Sequence, residues 1–264
     1  MAPLTRFSGL TRLDGGIKPS SSFCIPSPTM SETLAIAVCM PDGVTLSDFI
    51  PGMEILSMLN TAEHPEKGAE LRKAAGGNFP YKFTFDFLAM TREGVAPLLA
   101  PMPRIQPTTS YAEAAASGRQ WDILFVPAGR NPNFETGAHP FPEEEIAFIA
   151  QQAPNARFVM SVCTGANQLA LAGVLAGKRA TMNKQFFTQI AAVCPNDITW
   201  VPKARWVVDG KVWTSSGVIA GADMVLAFVE HLINKEVAQI ARAAFEIAEV
   251  TQENDPFAAY FGLV

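Results

Sequence analysis

One ten-residue stretch constrains the fold of this chain more than any other. Residues 158–167 read FVMSVCTGAN, in which an apolar run ends abruptly at Cys163 and small residues follow. From Ala166 onward the apolar positions are typical of a helix. This order predicts a strand, a sharp turn and a helix with cysteine at the apex of the turn, an arrangement known as a nucleophile elbow.

A cysteine at such a turn is placed for nucleophilic chemistry. The unpaired N–H groups and the positive end of the macrodipole at a helix N-terminus favour the thiolate, which is the reactive form of cysteine. The alternative is a buried structural cysteine, the commoner role of this residue type. The position of Cys163 between a strand and a Thr-Gly-Ala helix start favours the reactive role.

Predicted strands and helices alternate along the rest of the chain. This order indicates a mostly parallel β-sheet with helices on both faces, which is a doubly wound α/β fold. An Asp209-Gly210 pair between two β-rich runs indicates an antiparallel hairpin. Strands are expected over 34–40, 83–90, 122–126 and 158–162, and helices are expected from Ser47, from the acidic triplet at 143–145, from about 217 to 233, and over 235–249.

In a sheet of this kind, ligands bind beyond the carboxyl ends of the strands. Three segments are expected to reach that edge: the turn before Asp48, the Pro127-Ala128-Gly129 turn, and the elbow at Cys163. The sequence therefore predicts that these segments form one site. Asp48 also precedes an apolar helical run, so a simple helix N-cap is the alternative for that residue.

Composition limits the chemistry and the partners. A chain of 264 residues, 48% hydrophobic, can bury the core of one globular domain, and its net charge of −5 argues against a nucleic-acid surface. Four scattered cysteines and three histidines suggest neither a disulfide framework nor a metal site. No apolar run reaches the roughly 18 residues of a membrane span. Motifs for nicotinamide, pyridoxal phosphate and metals are missing from the sequence, so no cofactor is expected.

The beginning of the chain differs in composition from the rest. It carries three basic residues against one acid and a Pro/Ser-rich piece at 19–28, without the apolar core of a secretory signal. We expect a flexible extension over 1–31 and a single domain over 32–264, with an exposed insertion around 62–80. The scattered cysteines favour a reducing, cytoplasmic location. An organellar transit peptide over 1–30 is the alternative.

Four segments together resemble the ThiJ/PfpI superfamily, relatives of the class I glutamine amidotransferases with a flavodoxin-like fold. Each segment alone is a weak signal, but their combination is specific. The resemblance covers about residues 33–257. Within the superfamily, the chain looks most like the isonitrile hydratase-like group and the amidase-like domain of certain transcription regulators. The segments are DILFVPAG at 122–129, SVCTGA at 161–166, LAGVLAGKRAT at 171–181 and SGVIAGAD at 216–223.

The resemblance implies a role for each residue of the site. Cys163 matches the nucleophile, and Asp48 matches the acid that lies over it. Thr164 matches a neighbour whose backbone N–H faces the substrate. Ala128 and Gly129 match a pair whose backbone N–H groups help to hold a developing anion.

One position departs from the superfamily pattern. Many members have a histidine 20 residues after the cysteine, in a Thr-Thr-His sequence, whereas this chain has Thr181-Met182-Asn183. Asparagine forms hydrogen bonds but does not accept a proton near neutral pH. The usual Cys–His hydrolytic pair is therefore absent, which argues against protease and glutaminase activity.

The resemblance and this departure favour a cofactor-independent lyase or hydratase that acts on a small organic molecule, as a homodimer. The best-matching reaction is hydration of an isonitrile to an N-substituted formamide, with Cys163 and Asp48 as the catalytic residues and with Asn183 among those that bind the substrate. The alternatives are a glyoxalase or deglycase on methylglyoxal, a lyase or cyclase on a larger metabolite, and a non-enzymatic protein that responds to oxidation of Cys163.

Overall fold

The computed structural model describes residues 31–99 and 101–264, and these contain nine strands and nine α-helices. The strands are β1 (Glu32–Cys39), β2 (Tyr81–Ala89), β3 (Thr109–Ser110), β4 (Ile123–Val126), β5 (Phe158–Val162), β6 (Arg179–Ala180), β7 (Thr199–Trp200), β8 (Trp206–Asp209) and β9 (Val212–Ser215). The helices are α1 (Leu46–Leu59), α2 (Ala69–Ala74), α3 (Tyr111–Ala116), α4 (Glu143–Gln152), α5 (Gly165–Leu171), α6 (Phe187–Val193), α7 (Val218–Leu232), α8 (Lys235–Phe245) and α9 (Phe257–Tyr260).

Seven of the strands form one sheet in the order β3-β2-β1-β4-β5-β9-β8. Neighbouring strands are parallel throughout, except for β8 and β9, which form the antiparallel hairpin predicted at Asp209-Gly210. The two remaining short strands, β6 and β7, pair in a separate small sheet. The mostly parallel α/β fold expected from the alternation of elements is therefore confirmed.

Helices cover both faces of the large sheet because successive side chains of each strand point to opposite faces. In β1, Leu34, Ile36 and Val38 lie in the cluster formed with α1, α7 and α8. Ala37 and Cys39 lie in the opposite cluster, with α3, α4, α5 and α6. Burial on both faces explains why the central strands are nearly continuous apolar runs.

Helix α1 packs against α7 and the sheet at a close approach that glycine permits. A Cβ on Gly52 would lie 3.0 Å from Val225 Cγ2 and 3.6 Å from Phe125 Cζ. A side chain at this position would require Val225 to shift by a few tenths of an ångström, so glycine allows α1 to lie this close. The first turn of α1 carries Asp48.

The segment expected as an insertion, 62–80, contains helix α2 and is mostly exposed. Leu71 of α2 is nevertheless buried, and the Arg72 guanidinium donates to the carbonyl oxygens of Ala62, His64 and Pro65. These contacts hold the segment as folded structure next to the end of α1. The predicted extension falls almost entirely on residues 1–30, outside the described residues.

Two further features concern the helices. Helix α8 ends at Phe245, earlier than the expected 249, because Glu246 adopts the left-handed conformation with φ 53°. None of the helices in the described part of the chain has both the length and the apolar character to cross a membrane.

Candidate active site

Cys163 occupies the sharp turn between β5 and α5. Its φ of 60° lies in the left-handed region, which non-glycine residues adopt at a cost of roughly 1–3 kcal/mol. The backbone N–H of Cys163 donates to the carbonyl oxygens of Ser216, at 2.8 Å, and Ser215, at 3.2 Å. These bonds from the end of β9 hold the cysteine in its strained conformation, as a nucleophile elbow requires.

The small residues of the elbow are required by its surroundings. A Cβ on Gly165 would lie 2.2 Å from the carbonyl oxygen of Val126, a distance that no real Cβ shows. A Cβ on Gly221 of α7 would lie 2.8 Å from Val162 Cγ1. The turn is therefore clamped between the end of β4 and the start of α7, which fixes the direction of the thiol.

Asp48 lies in the first turn of α1, but it does not cap the helix. The N-cap position is Thr45, whose carbonyl oxygen accepts a hydrogen bond from Asp48 N–H at 3.1 Å. The Asp48 side chain is buried, with 2% exposed, and its Oδ2 accepts from Ala128 N–H at 3.0 Å. Its other oxygen, Oδ1, has no hydrogen-bond partner among the described residues. One oxygen of the buried carboxyl is thus hydrogen-bonded, and the other makes no hydrogen bond within the described residues.

Burial and mutual proximity set the protonation of this acid and the thiol. Burial raises the pKa of Asp48 from 3.8 to about 7, and the hydrogen bond from Ala128 N–H offsets part of that rise. Burial also raises the pKa of the Cys163 thiol, and the charge of Asp48 raises it further. The expected preference for thiolate is therefore wrong for the resting site, because loss of solvent outweighs the favourable donors at the turn.

Two donors oppose this rise in the pKa of Cys163: the backbone N–H of Thr164 and the side chain of Asn183. The Asn183 Oδ1 accepts from Gln185 N–H at 2.9 Å, so the amide NH2 is the part left to face the sulfur. A Cβ on Gly217 would lie 3.1 Å from Asn183 Nδ2, and the missing side chain leaves the amide its space. Asn183 consequently opposes the rise in the pKa of the thiol through its amide, and it does not act as a base.

The backbone donors predicted for a developing anion differ in their availability. The Ala128 N–H donates to Asp48 Oδ2, so in this arrangement it serves the carboxyl rather than a substrate. Gly129 follows it and is closely packed, since a Cβ there would lie 2.6 Å from Pro41 Cγ. Thr164 is buried beside the sulfur. The structure therefore brings all six predicted residues to one end of the sheet, but it changes the role of Ala128.

The sequence analysis missed a polar residue that braces this site. Gln168 lies on the buried face of α5, and its Nε2 donates to the carbonyl oxygen of Pro127 at 3.0 Å. This bond joins the elbow helix to the turn that carries Ala128 and Gly129. An Asn-Gln pair at 167–168 inside an otherwise small and apolar helix was the available signal.

Comparison with known proteins agrees with this architecture. Residues 102–231, which include the elbow, the Ala128 turn and Asn183, match the model of the DJ-1/PfpI family. The matched residues make up just under half of the chain, which over this part is similar to the DJ-1/PfpI family. Asp48 lies outside the matched residues, so the structure and not the family match places it at the site.

One curated relative of this chain is the isonitrile hydratase of Pseudomonas putida. The two are 33% identical over 147 residues, which are 55% of this chain and 58% of that protein. The alignment thus spans less than two thirds of the relative.

Several solved structures share the fold of this chain. A THiJ/PfpI family protein from Pseudomonas syringae has a TM-score of 0.62 at 21% identity, covering 90% of this chain and 86% of that chain. Drosophila melanogaster DJ-1beta has a TM-score of 0.59 at 22% identity, covering 83% and 100%. An AraC family transcriptional regulator from Pseudomonas putida has a TM-score of 0.59 at 15% identity, covering 81% and 99%. At these identities the likeness establishes the fold alone.

Within the described residues, no group of three or more His, Cys, Asp or Glu side chains is arranged to hold a metal ion.

Proposed function

We propose that this protein is a cofactor-independent hydratase in which Cys163 and Asp48 add water to an isonitrile, giving an N-substituted formamide. The observation that carries the proposal is the buried Asp48 carboxyl, whose charge raises the pKa of the Cys163 thiol and whose own pKa burial raises to about 7. A group with such a pKa takes up and returns a proton readily at neutral pH. The similarity to an isonitrile hydratase supports the choice of substrate.

The first half of the reaction is the addition of the thiol to the isonitrile. Asp48 accepts the thiol proton as the Cys163 sulfur attacks the terminal carbon of R–N≡C, which forms the new C–S bond. The carbon that accepts the sulfur then takes the proton from Asp48. The product is a thioimidate, R–N=CH–S–Cys163, and the carboxylate is regenerated.

The second half is hydrolysis of that thioimidate. Asp48 accepts a proton from water as the water oxygen adds to the same carbon. Asp48 passes this proton to the nitrogen. The C–S bond then breaks as the hydroxyl on the carbon gives its proton to Asp48, which returns it to the sulfur. Isonitrile and water together give R–NH–CHO, and the thiol is restored.

The fixed donors at the elbow assist the step in which the C–S bond breaks. Negative charge develops on the sulfur at that moment, and the Thr164 N–H and the Asn183 amide are the two groups that lower the pKa of this thiol. Donors that are in place before charge appears stabilise the transition state without reorganisation. Asn183 thereby supports the reaction without taking part in proton transfer.

The raised pKa of Cys163 argues against the redox alternative. The thiolate is the form that peroxide oxidises, and oxidation-sensing cysteines have low pKa values and good access to solvent. Cys163 has a raised pKa and is 9% exposed. A catalytic thiol that loses its proton only during attack fits these properties better.

The test incubates the purified protein with cyclohexyl isocyanide and follows N-cyclohexylformamide by mass spectrometry. We expect formation by the wild-type protein, loss in Cys163→Ala, and normal activity in Cys194→Ala, a matched control at another buried cysteine. Absence of formamide with the wild-type protein, or full activity of Cys163→Ala, rules the proposal out. A parallel incubation with methylglyoxal that yields lactate would favour the glyoxalase alternative.

A further inference from the structure

A buried lysine lies immediately beside Asn183. The side chain of Lys184 is only 1% exposed. Its ammonium group donates to Thr181 Oγ1 at 2.6 Å, to the Ala204 carbonyl at 2.9 Å and to the Met182 carbonyl at 3.2 Å. It also lies 3.3 Å from Asp255 Oδ2, in an ion pair whose carboxyl is equally buried. Because an unpaired buried charge is costly, these four oxygens hold the lysine firmly in place.

The oxygens around Lys184 belong to three parts of the chain that are distant in sequence. Thr181 and Met182 follow β6, Ala204 precedes β8, and Asp255 lies in the C-terminal segment between α8 and α9. A further bond joins the last two parts, because Arg205 N–H donates to the Gln252 carbonyl at 2.7 Å. Lys184 thus connects the C-terminal segment to the loop that carries Asn183.

The same loop is bonded to the elbow on the other side. The Asn183 backbone N–H donates to the Cys163 carbonyl at 3.4 Å, and the Asn183 side chain is near enough to the thiol to lower its pKa. Successive residues of the loop therefore face opposite ways, with Asn183 towards the thiol and Lys184 towards the buried oxygens. A hydrogen bond weakens steeply when its angle bends away from linear. The contacts that fix Lys184 therefore also determine how well the neighbouring Asn183 amide is oriented towards the thiol.

We propose that Lys184 is a positioning residue, which holds the Asn183 amide against the Cys163 sulfur and makes the geometry of the thiol depend on the docked C-terminal segment. The hydrogen bonds and the ion pair of the lysine do not include the sulfur. Its effect on reactivity passes through Asn183, and it rests on the role proposed above for Cys163. The pKa of Lys184, lowered to about 8 by burial, leaves the ammonium form dominant at neutral pH, as the ion pair with Asp255 requires.

The test measures alkylation of Cys163 by iodoacetamide as a function of pH, read from the mass of its peptide, and needs no substrate. Asn183→Ala removes the donor, so it should raise the apparent pKa of the thiol by about one unit and slow alkylation at pH 8 about tenfold. Lys184→Met should produce a similar slowing. The double variant should be no slower than Asn183→Ala, because the lysine acts only through the asparagine.

The matched control is Lys211→Met. The Lys211 ammonium also donates to three carbonyl oxygens, those of Ala153, Pro154 and Ala156, but it lies at the opposite end of β5 and β9. That variant should lower the denaturation midpoint without changing the alkylation profile of Cys163. Should Lys184→Met fail to fold, Asp255→Asn removes the buried charge while keeping the shape, and the same dependence on Asn183 is expected.

Unchanged alkylation in folded Lys184→Met, or slowing that multiplies with that of Asn183→Ala, would overturn the inference. The two proposals fail separately. If the alkylation results hold but no isonitrile is consumed, the positioning role stands and the assigned reaction is wrong.

Discussion

Replacing Asp48 by asparagine should stabilise the protein, relative to the wild-type chain, more at pH 8 than at pH 5. The Asp48 pKa is 3.8 in an ordinary environment and about 7 in the folded protein. Below pH 3.8 the carboxyl is neutral in both folded and unfolded chains, so its ionisation does not change the free energy of unfolding. As the pH rises towards 7, the unfolded chain loses the proton and the folded chain keeps it, so the free energy of unfolding falls.

The size of the effect follows from the shift. Each pKa unit corresponds to about 1.4 kcal/mol, so the two units between pH 5 and the folded pKa cost the wild-type protein about 3 kcal/mol. The asparagine of the variant has no charge to gain, and its oxygen can still accept from Ala128 N–H. Contributions that do not depend on pH, such as the buried amide NH2, cancel when the two pH values are compared.

The assay is urea denaturation of the wild-type protein, Asp48→Asn and Glu54→Gln at pH 5 and pH 8. Glu54 lies on the same helix with an exposed side chain, so its replacement should leave the pH dependence unchanged. The free energy of unfolding of Asp48→Asn relative to wild type should rise by about 3 kcal/mol between the two pH values. A difference that is equal at both would show that Asp48 is not a desolvated carboxyl.

The same variant should separate stability from activity. Its formamide production should fall by about 100-fold or more, because asparagine cannot transfer the proton. Alkylation of Cys163 at pH 8 should become faster, because the neighbouring charge that raises the thiol pKa has gone. Slower alkylation in Asp48→Asn would contradict the coupling between the two groups.

Three further predictions concern other parts of the molecule. Gly165→Ala should destabilise the fold by several kcal/mol in urea denaturation, since the new Cβ meets the Val126 carbonyl at 2.2 Å, and an unchanged midpoint would refute the clamped turn. Glu145→Gln should flatten the fall in stability between pH 5 and 8, because burial raises the Glu145 pKa from 4.5 to about 8; an unaltered pH profile would contradict that burial. Light scattering should give the mass of two 28.4 kDa chains if the protein is the proposed homodimer, and a monomer at micromolar concentration would exclude it.

The features predicted correctly from the sequence are those with a local pattern. The apolar run before Cys163 and the helical spacing after it specify a strand and a helix within a dozen residues, and the Asp209-Gly210 pair specifies its own hairpin. The two-residue strands β3, β6 and β7 were missed, because two residues carry no periodicity.

The features that could not be predicted depend on contacts between distant residues. The Ala128 N–H meets a carboxyl 80 positions earlier in the chain, and that contact decides which donors remain for the substrate. The acidic triplet 143–145 predicts a helix start, yet Glu145 is completely buried and its oxygens have no hydrogen-bond partner among the described residues. Burial also reversed the expected direction of the Cys163 pKa. Local sequence carries no information about such desolvation.

The combination of Asp48 and Asn183 favours addition over hydrolysis of an amide. Hydrolysis needs one group to activate the nucleophile and a donor for the departing amine, a task that histidine performs in Cys–His enzymes. Here the partner opposite the acid is Asn183, which donates a hydrogen bond but carries no transferable proton at neutral pH. Addition to an isonitrile needs fewer proton-transferring groups, because the only leaving group is the thiol of the protein itself. A single carboxyl that returns the proton it has taken is then sufficient, and the Asp48 pKa of about 7 suits both transfers.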